Sequence, residues 1–324
     1  MIDYSFTSKE GLLFLCYLTN YNINAIYQAV NDHSPSTLTD FYQAFLQQSP
    51  SSRNGKSQQS SDHHKRASDI DKALQQTTIA LAKLRYHRVN IISYMDEDHY
   101  PNQLKGIKQP PPLLFVKGNY KSNQRMAAIV GTRQASKFAD KMTRKIVDVV
   151  QESGLGILSG LALGIDTIAH RAALDKDVYT IAILPNSLDT VYPKSNFPLA
   201  VEILEKGGAL ISELPPEINR GKKSFVERNR LQTALSELVI PVELGAKSGT
   251  MHTVNFAKKQ GKHVIVVQPF EQNQYLPQYE GIQTLIAKQE SSPYENFHTV
   301  TNSAGLSVKL KGLFTSTEQM TLFS

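Results

Sequence analysis

Apolar positions near the start of the chain recur at helical spacing. Leu12, Leu15 and Leu18 form one set, Ile23, Ile26, Tyr27 and Val30 a second, and Leu38, Phe41 and Phe45 a third, with Asn and Ser-Pro breaks between them. This predicts a small helical module over residues 1–48. Residues 49–68 (SPSSRNGKSQQSSDHHKRAS) hold no aliphatic side chain larger than alanine and read as a polar linker. A helix is predicted over 69–85, a strand at Val89-Asn-Ile-Ile-Ser93, and a turn at Pro110-Pro-Pro112. A regular alternation follows. Apolar runs at 127–130, 156–159, 179–184, 209–212, 238–242 and 263–267 predict buried strands. Helical stretches at 138–151, 165–174, 197–206, 228–236 and 250–259 lie between most of them. Such a pattern predicts an α/β fold, a Rossmann-like doubly wound and mostly parallel sheet over 69–290, preceded by the small N-terminal helical domain. Residues 291–324 are mostly polar and read as a C-terminal tail.

A length of 324 residues suits about two folded units at roughly 100–200 residues each. The single cysteine, Cys16, has no intramolecular partner and sits between Leu15 and Tyr17, which suggests a buried thiol and no oxidising compartment. The N-terminus has no basic run ahead of an apolar stretch, and no apolar segment approaches the ~20 residues needed to span a bilayer, so a cytoplasmic protein without a membrane span is expected.

The net charge is +6, unevenly placed. No Asp or Glu occurs from His99 through Ala139, while Lys105, Lys108, Lys117, Lys121, Arg125, Arg133 and Lys137 all do. Arg220, Lys222, Lys223, Arg228 and Arg230 form a second basic cluster, offset by Glu227. Either can serve a polyanion or simply lie on a solvated surface.

In a doubly wound sheet, ligands bind beyond the carboxyl ends of the strands, where helix N-termini present free amides. The loops there are Gly131-Thr-Arg-Gln-Ala-Ser136, Ser159-Gly-Leu-Ala-Leu-Gly-Ile-Asp166, Leu184-Pro-Asn-Ser187 onward to Asn196, Ser212-Glu-Leu-Pro215 and Glu243-Leu-Gly-Ala-Lys-Ser-Gly-Thr250. Gly131 permits a sharp turn, Thr132 or Ser136 can cap a helix, and Arg133 offers a forked donor to a phosphate. Ser248-Gly249-Thr250 repeats that design, and Gly160 with Gly164 frames a third turn. Each loop can equally serve tight strand-to-helix packing. Asp166 and His170, four apart, have the spacing of a base and its orienter, yet no third ligand or nucleophile accompanies them. They read as a carboxylate at a helix N-terminus and a histidine against a neighbouring loop. His63 and His64 lack the partners of a metal site, so no metal and no cofactor are expected. Walker A, G-x-S-x-G, H-E-x-x-H and G-x-G-x-x-G patterns are absent.

Taken together, Gly131-Thr-Arg133, Ser159-Gly-Leu-Ala-Leu-Gly-Ile-Asp-Thr-Ile-Ala-His170, Asp189-Thr-Val-Tyr-Pro-Lys-Ser-Asn196, Ile211-Ser-Glu213, Phe225-Val-Glu-Arg-Asn-Arg230 and Lys247-Ser-Gly-Thr250 resemble the DNA-processing protein A family (DprA/Smf) in order and spacing. Tyr100-Pro101 to Gly118-Asn119 fits as well, and the likeness covers roughly residues 90–290. The resemblance implies a SAM-like N-terminal module and a non-enzymatic binder of single-stranded DNA that protects incoming strands and loads the RecA recombinase during natural transformation, acting as a homodimer. It further implies a basic pocket for the DNA backbone from Arg133, Lys194, Arg228, Asn229 and Arg230. Gly131, Thr132, Ser159, Gly160, Asn196, Lys247, Ser248, Gly249 and Thr250 would complete it.

The chain departs from the family pattern at several places. Leu163 stands where a basic residue is usual, Pro185-Asn186-Ser187 replaces a G-x-G, Phe225-Val226 replaces Phe-Pro, and Gln268-Pro269-Phe270 replaces Val-Pro-Gly. The family's C-terminal winged-helix domain is not expected here. Tyr192 and Phe225 are suited to stacking on bases. The competing expectation is a sensor or hydrolase of nucleotide derivatives using the same phosphate loops; a pure scaffold between recombination proteins is a third. Near the end, Gln319-Met-Thr-Leu322-Phe323 resembles the short peptides that dock on the replication sliding clamp, with Gln319 at the groove's rim and Leu322 and Phe323 inside it.

Overall fold

The computed structural model describes residues 5, 7–33, 56–245, 248–269 and 276–321, and the side chains of all these except 56–66 and 315–321. Two compact units emerge: residues 1–117 with 186–190 and 212–219, and residues 118–185, 191–211 and 220–324.

The first unit holds α1 (Lys9–Leu18), α2 (Ile23–His33), α3 (Lys56–Tyr86), β1 (Val89–Ser93), α4 (Asn102–Lys105) and β2 (Leu113–Gly118). Ser8 caps α1, its Oγ accepting from Gly11 N at 3.0 Å. Every residue from Gly11 to Tyr17 is buried, because α3 covers one side of α1 and β1 another. Cys16 is among them, and burial pushes its thiol pKa up, which makes it an inert core group. Tyr17 Oη donates to Pro216 O at 2.7 Å and Tyr21 Oη to Glu213 Oε2 at 3.1 Å, tying 212–219 to α1. Strands β1 and β2 pair antiparallel.

Three sequence expectations change in this region. Helix α3 extends through 56–68, read as linker, because no Gly or Pro interrupts 56–86 and a polar helix needs no core to continue a turn already packed. Strand β2 was not anticipated beside the Pro110-Pro-Pro112 turn. Leu38, Phe41 and Phe45 lie outside the described residues.

The second unit is a parallel sheet. Its elements run β3 (Met126–Val130), α5 (Lys137–Glu152), β4 (Gly156–Ser159), α6 (Ile165–Leu174), β5 (Thr180–Ile183), α7 (Phe197–Glu205), β6 (Ala209–Ser212), α8 (Lys223–Ala234), β7 (Leu238–Pro241), α9 (Thr250–Lys259), β8 (His263–Val267), α10 (Glu280–Ser291), β9 (Phe297–Val300) and α11 (Ser303–Thr321). The strand order is β6-β5-β4-β3-β7-β8-β9. From β3 the chain adds β4, β5 and β6 on one side, then returns to β3 and adds β7, β8 and β9 on the other. The order therefore reverses between β3 and β7, and a crevice opens at their carboxyl ends. Strands β3 to β7 are buried throughout, as continuous apolar runs covered on both faces must be.

The tail expected at 291–324 instead contributes β9, paired with β8, and α11, which packs on α5. Only Phe297 and Val300 of β9 are buried, too short an apolar signal to mark a strand. Helix α8 begins at Lys223 rather than 228 because its charged first turn hides the start.

Candidate nucleic-acid interface

The crevice is a cleft of about 460 Å³. The loop after β3 supplies Gly131, Thr132 and Arg133, the loop after β4 supplies Ala162 and Asp166, and the turn after β7 supplies Gly245, Ser248, Gly249 and Thr250. Helix α8 forms the remaining wall with Phe225, Val226, Arg228, Asn229 and Gln232.

These loops lock together through their backbones. Thr132 N donates to Glu243 O at 2.7 Å and Ile165 N to Thr132 O at 3.0 Å. Thr250 Oγ1 donates to Gly131 O at 3.2 Å, and Ser136, which caps α5 through Ala139 N at 3.1 Å, donates its own N–H to Glu243 Oε2 at 2.9 Å. Glu243 is fully buried, and burial raises its carboxyl pKa. Gly164 has φ +76°, and a Cβ there would overlap Thr132 O, so the second loop passes the first only as glycine.

Arg228 lies at the centre of the assembly and is buried. Its Nη1 donates to Gly160 O at 3.0 Å and to Ile183 O, while Nε donates to Asn229 Oδ1 at 3.2 Å. A Cβ on Gly160 would overlap the guanidinium, so this glycine admits the arginine. Burial, offset by Asp166 and reinforced by Arg133, brings the Arg228 pKa down to about 10, and it remains charged at neutral pH. Asp166 Oδ2 accepts from Gly160 N at 3.1 Å and Ala162 N at 3.3 Å. Its pKa is raised by burial against the opposing pull of Arg228.

Several expected contacts are thereby corrected. Arg228 is a buried brace between the β4 and β5 ends. Arg230 is buried too, with Nη1 3.5 Å from Glu227 O. Ser159 is fully buried and donates to Ile129 O at 2.7 Å. Asn196 is buried, and its Nδ2 donates to Leu161 O at 2.9 Å and Thr167 Oγ1 at 2.8 Å, clamping the second loop. The physical reason is common to all four: each side chain satisfies carbonyls or hydroxyls that the tight loops leave inside the fold. Lys247, Leu322 and Phe323 lie outside the described residues, as does the side chain of Gln319, whose backbone is part of α11 rather than an extended tail.

The basic clusters also redistribute. Arg220 and Lys223 pair with Glu227 at 2.6 and 3.3 Å. Arg125 precedes β3 and stacks over Phe314 at 4.1 Å, whereas Arg133 follows the same strand, about 16 Å further along. What faces solvent at the carboxyl edge is a row. Arg133 sits over the Phe225 ring at 5.4 Å, and Phe225 meets Tyr192 edge-on at 5.4 Å. Tyr192 is 50% exposed, Leu163 46% and Phe197 58%. Leu163, Tyr192 and Phe225 also line a smaller hollow with Arg133. Lys194 is exposed two residues after Tyr192. Phe197 and Gln232 escaped the sequence reading; both sit at apolar-periodic or polar helix positions that look ordinary without the fold.

His170 is fully buried and contacts Thr180 Oγ1 through Nδ1 at 2.8 Å. It does not face the cleft. Among the described residues no group of three or more His, Cys, Asp or Glu is placed to hold a metal, and no helix is long and apolar enough to cross a membrane.

Comparison with known proteins agrees with this architecture. The family model for DNA recombination-mediator protein A matches residues 90–305. Protein Smf of Escherichia coli (strain K12) is 37% identical over 173 residues, 53% of this chain and 46% of that protein. DNA processing protein DprA of Bacillus subtilis is 36% identical over 189 residues, 58% of this chain and 63% of that protein. The chain thus spans about half the length of the curated relatives it matches. The X-ray structure of DprA from Streptococcus pneumoniae superposes with TM-score 0.65 at 27% identity, covering 93% of this chain and 94% of that one. A structure of DNA processing protein A from Helicobacter pylori, described for its single-stranded DNA binding mode, gives TM-score 0.60 at 29% identity over 70% of this chain and 97% of that one. A family match over 90–305, carried by the same loops that build the cleft, places this chain in the DNA recombination-mediator protein A family.

Proposed function

We propose that the protein binds single-stranded DNA along the carboxyl edge of its parallel sheet, as a binding protein rather than an enzyme. The observation that carries this reading is the exposed Arg133–Phe225–Tyr192 row with Lys194 beside it. A polynucleotide backbone needs cations spaced along an open surface, and its bases need aromatic faces. The row offers both. The titratable pair Asp166 and His170 is committed to backbone amides and to Thr180, which leaves no general base at the mouth. The Helicobacter pylori relative, titled for binding single strands, supports the same ligand here. Family likeness extends the proposal to strand protection and RecA loading in natural transformation, by a homodimer. Two pockets on one strand would raise the effective concentration of the second contact.

The test is affinity for a labelled oligothymidylate against salt. Arg133, Lys194 and the Ser248–Thr250 turn supply two to three phosphate contacts, so log affinity is expected to fall with log salt at a slope of about −1.4 to −2.1. A flat response overturns the reading.

A further inference from the structure

The exposed row explains how a strand can lie over the sheet edge, but not why a cleft of about 460 Å³ opens beneath it. That volume falls within the roughly 300–1,000 Å³ of small-molecule sites. Its inner wall carries an unusual group. Gln232 is 1% exposed, and among the described residues its Nε2 has no hydrogen-bond partner. A buried amide N–H left unpaired is costly unless a ligand answers it. Gln232 lies one turn beyond Asn229 on α8, so both project from one face into the cleft. Asn229 Oδ1 is held by Arg228 Nε at 3.2 Å, so what Asn229 still presents is its Nδ2 donor. Two amide donors side by side, walled off from water, suit the carbonyl and ring-nitrogen acceptors on the edge of a nucleobase.

At the other end is the N-terminus of the ten-residue helix α9. Gly249 is its cap and carries no side-chain cap bond. Open space lies where a Gly249 Cβ would be, and the Ser248 and Thr250 hydroxyls flank it. An anionic oxygen is favoured there by the oriented amides. Asp166 disfavours a phosphate near Arg228, so the anion belongs at the α9 end and the base at the α8 end.

We propose that the cleft encloses one whole nucleotide, its phosphate at the Ser248–Gly249–Thr250 turn and its base against the amides of Asn229 and Gln232. This rests on the strand-binding reading above and adds to it a base-reading pocket. The nucleotide has two possible sources, a unit of the bound strand turned inward or a free mononucleotide.

The experiment displaces a labelled oligothymidylate from the full chain with dTMP, dCMP, dAMP and the base-less deoxyribose 5-phosphate, each to about 10 mM. At least one mononucleotide is expected to compete at about tenfold lower concentration than the base-less sugar phosphate, roughly one to two hydrogen bonds. Gln232→Met keeps the chain length and removes the amide; it is expected to erase that advantage while leaving the salt slope for the oligonucleotide unchanged. Should the variant not fold, the wild-type comparison alone decides. Equal competition by sugar phosphate and every mononucleotide, or none by any, on a protein that binds the oligonucleotide overturns the pocket. An advantage that survives in folded Gln232→Met overturns it as well. Direct binding of a mononucleotide, read by calorimetry, to a protein that does not bind the oligonucleotide keeps the pocket, names the free nucleotide as its source and overturns strand binding.

Discussion

Replacing Arg228 with Met is expected to cost about 3–5 kcal/mol of folding stability, more than any change on the exposed row. The guanidinium does three things at once. It satisfies Gly160 O and Ile183 O at the ends of neighbouring strands, it holds Asn229, and it is the cation beside the buried Asp166 carboxylate. Methionine fills much of the volume but leaves two carbonyls unpaired and one negative charge uncompensated. The deficit should depend on pH. Burial already raises the Asp166 pKa in the folded state, and removing Arg228 raises it further. The folded variant then binds a proton that the unfolded chain does not, so its penalty shrinks as pH falls toward the ordinary carboxylate range. Urea unfolding at about pH 8 and about pH 5 measures both. A loss under about 1 kcal/mol at both values would mean the arginine is not a brace.

Acidification should destabilise the second unit through His170. Thr180 Oγ1 donates its one proton to Ile157 O at 2.9 Å, so it must accept from His170 Nδ1, which fixes the neutral tautomer with the proton on Nδ1. Nε2 is left with a lone pair and no partner. Protonating it would place an unpaired charge in the interior near Arg228, and burial followed by that repulsion lowers the His170 pKa to about 3. An unfolded histidine titrates near 6.5. Between those values the unfolded state binds more protons than the folded one, so stability falls as pH drops, approaching about 4–5 kcal/mol in total near pH 3. His170→Gln, which cannot titrate, should be less stable at neutral pH for want of the Thr180 bond, yet show a flatter acid limb. Parallel acid limbs in the two proteins would remove His170 from the account.

The sheet was legible because buried parallel strands write themselves as continuous apolar runs; β3 to β8 and α6 and α9 follow the expected bounds closely. Strands β2 and β9 were not legible, the first hidden beside prolines and the second only four residues long. The loops of the site were legible as well, since glycine and hydroxyl residues must gather where strands turn into helices. Which side chains face outward was not. Arg228, Arg230, Ser159 and Asn196 carry polar groups that a sequence cannot assign to solvent or to a carbonyl thirty residues away, and the fold spends them inside. Charge clustering misled for a related reason: Arg125 and Arg133 are close in sequence but at opposite ends of one strand. Gln232 gave no signal, because an unpaired amide exists only once its neighbours are placed.

The central claim is that the exposed row, and not the buried RNR segment, meets the strand. Arg133→Ala combined with Lys194→Ala removes two exposed cations whose side chains brace nothing in the core, so folding should be unaffected. Affinity for oligothymidylate is expected to drop at least about tenfold at low salt, with the slope of log affinity against log salt shallower by about 1.4, the share of two phosphate contacts. A folded double variant that binds with wild-type affinity and wild-type slope would contradict the account.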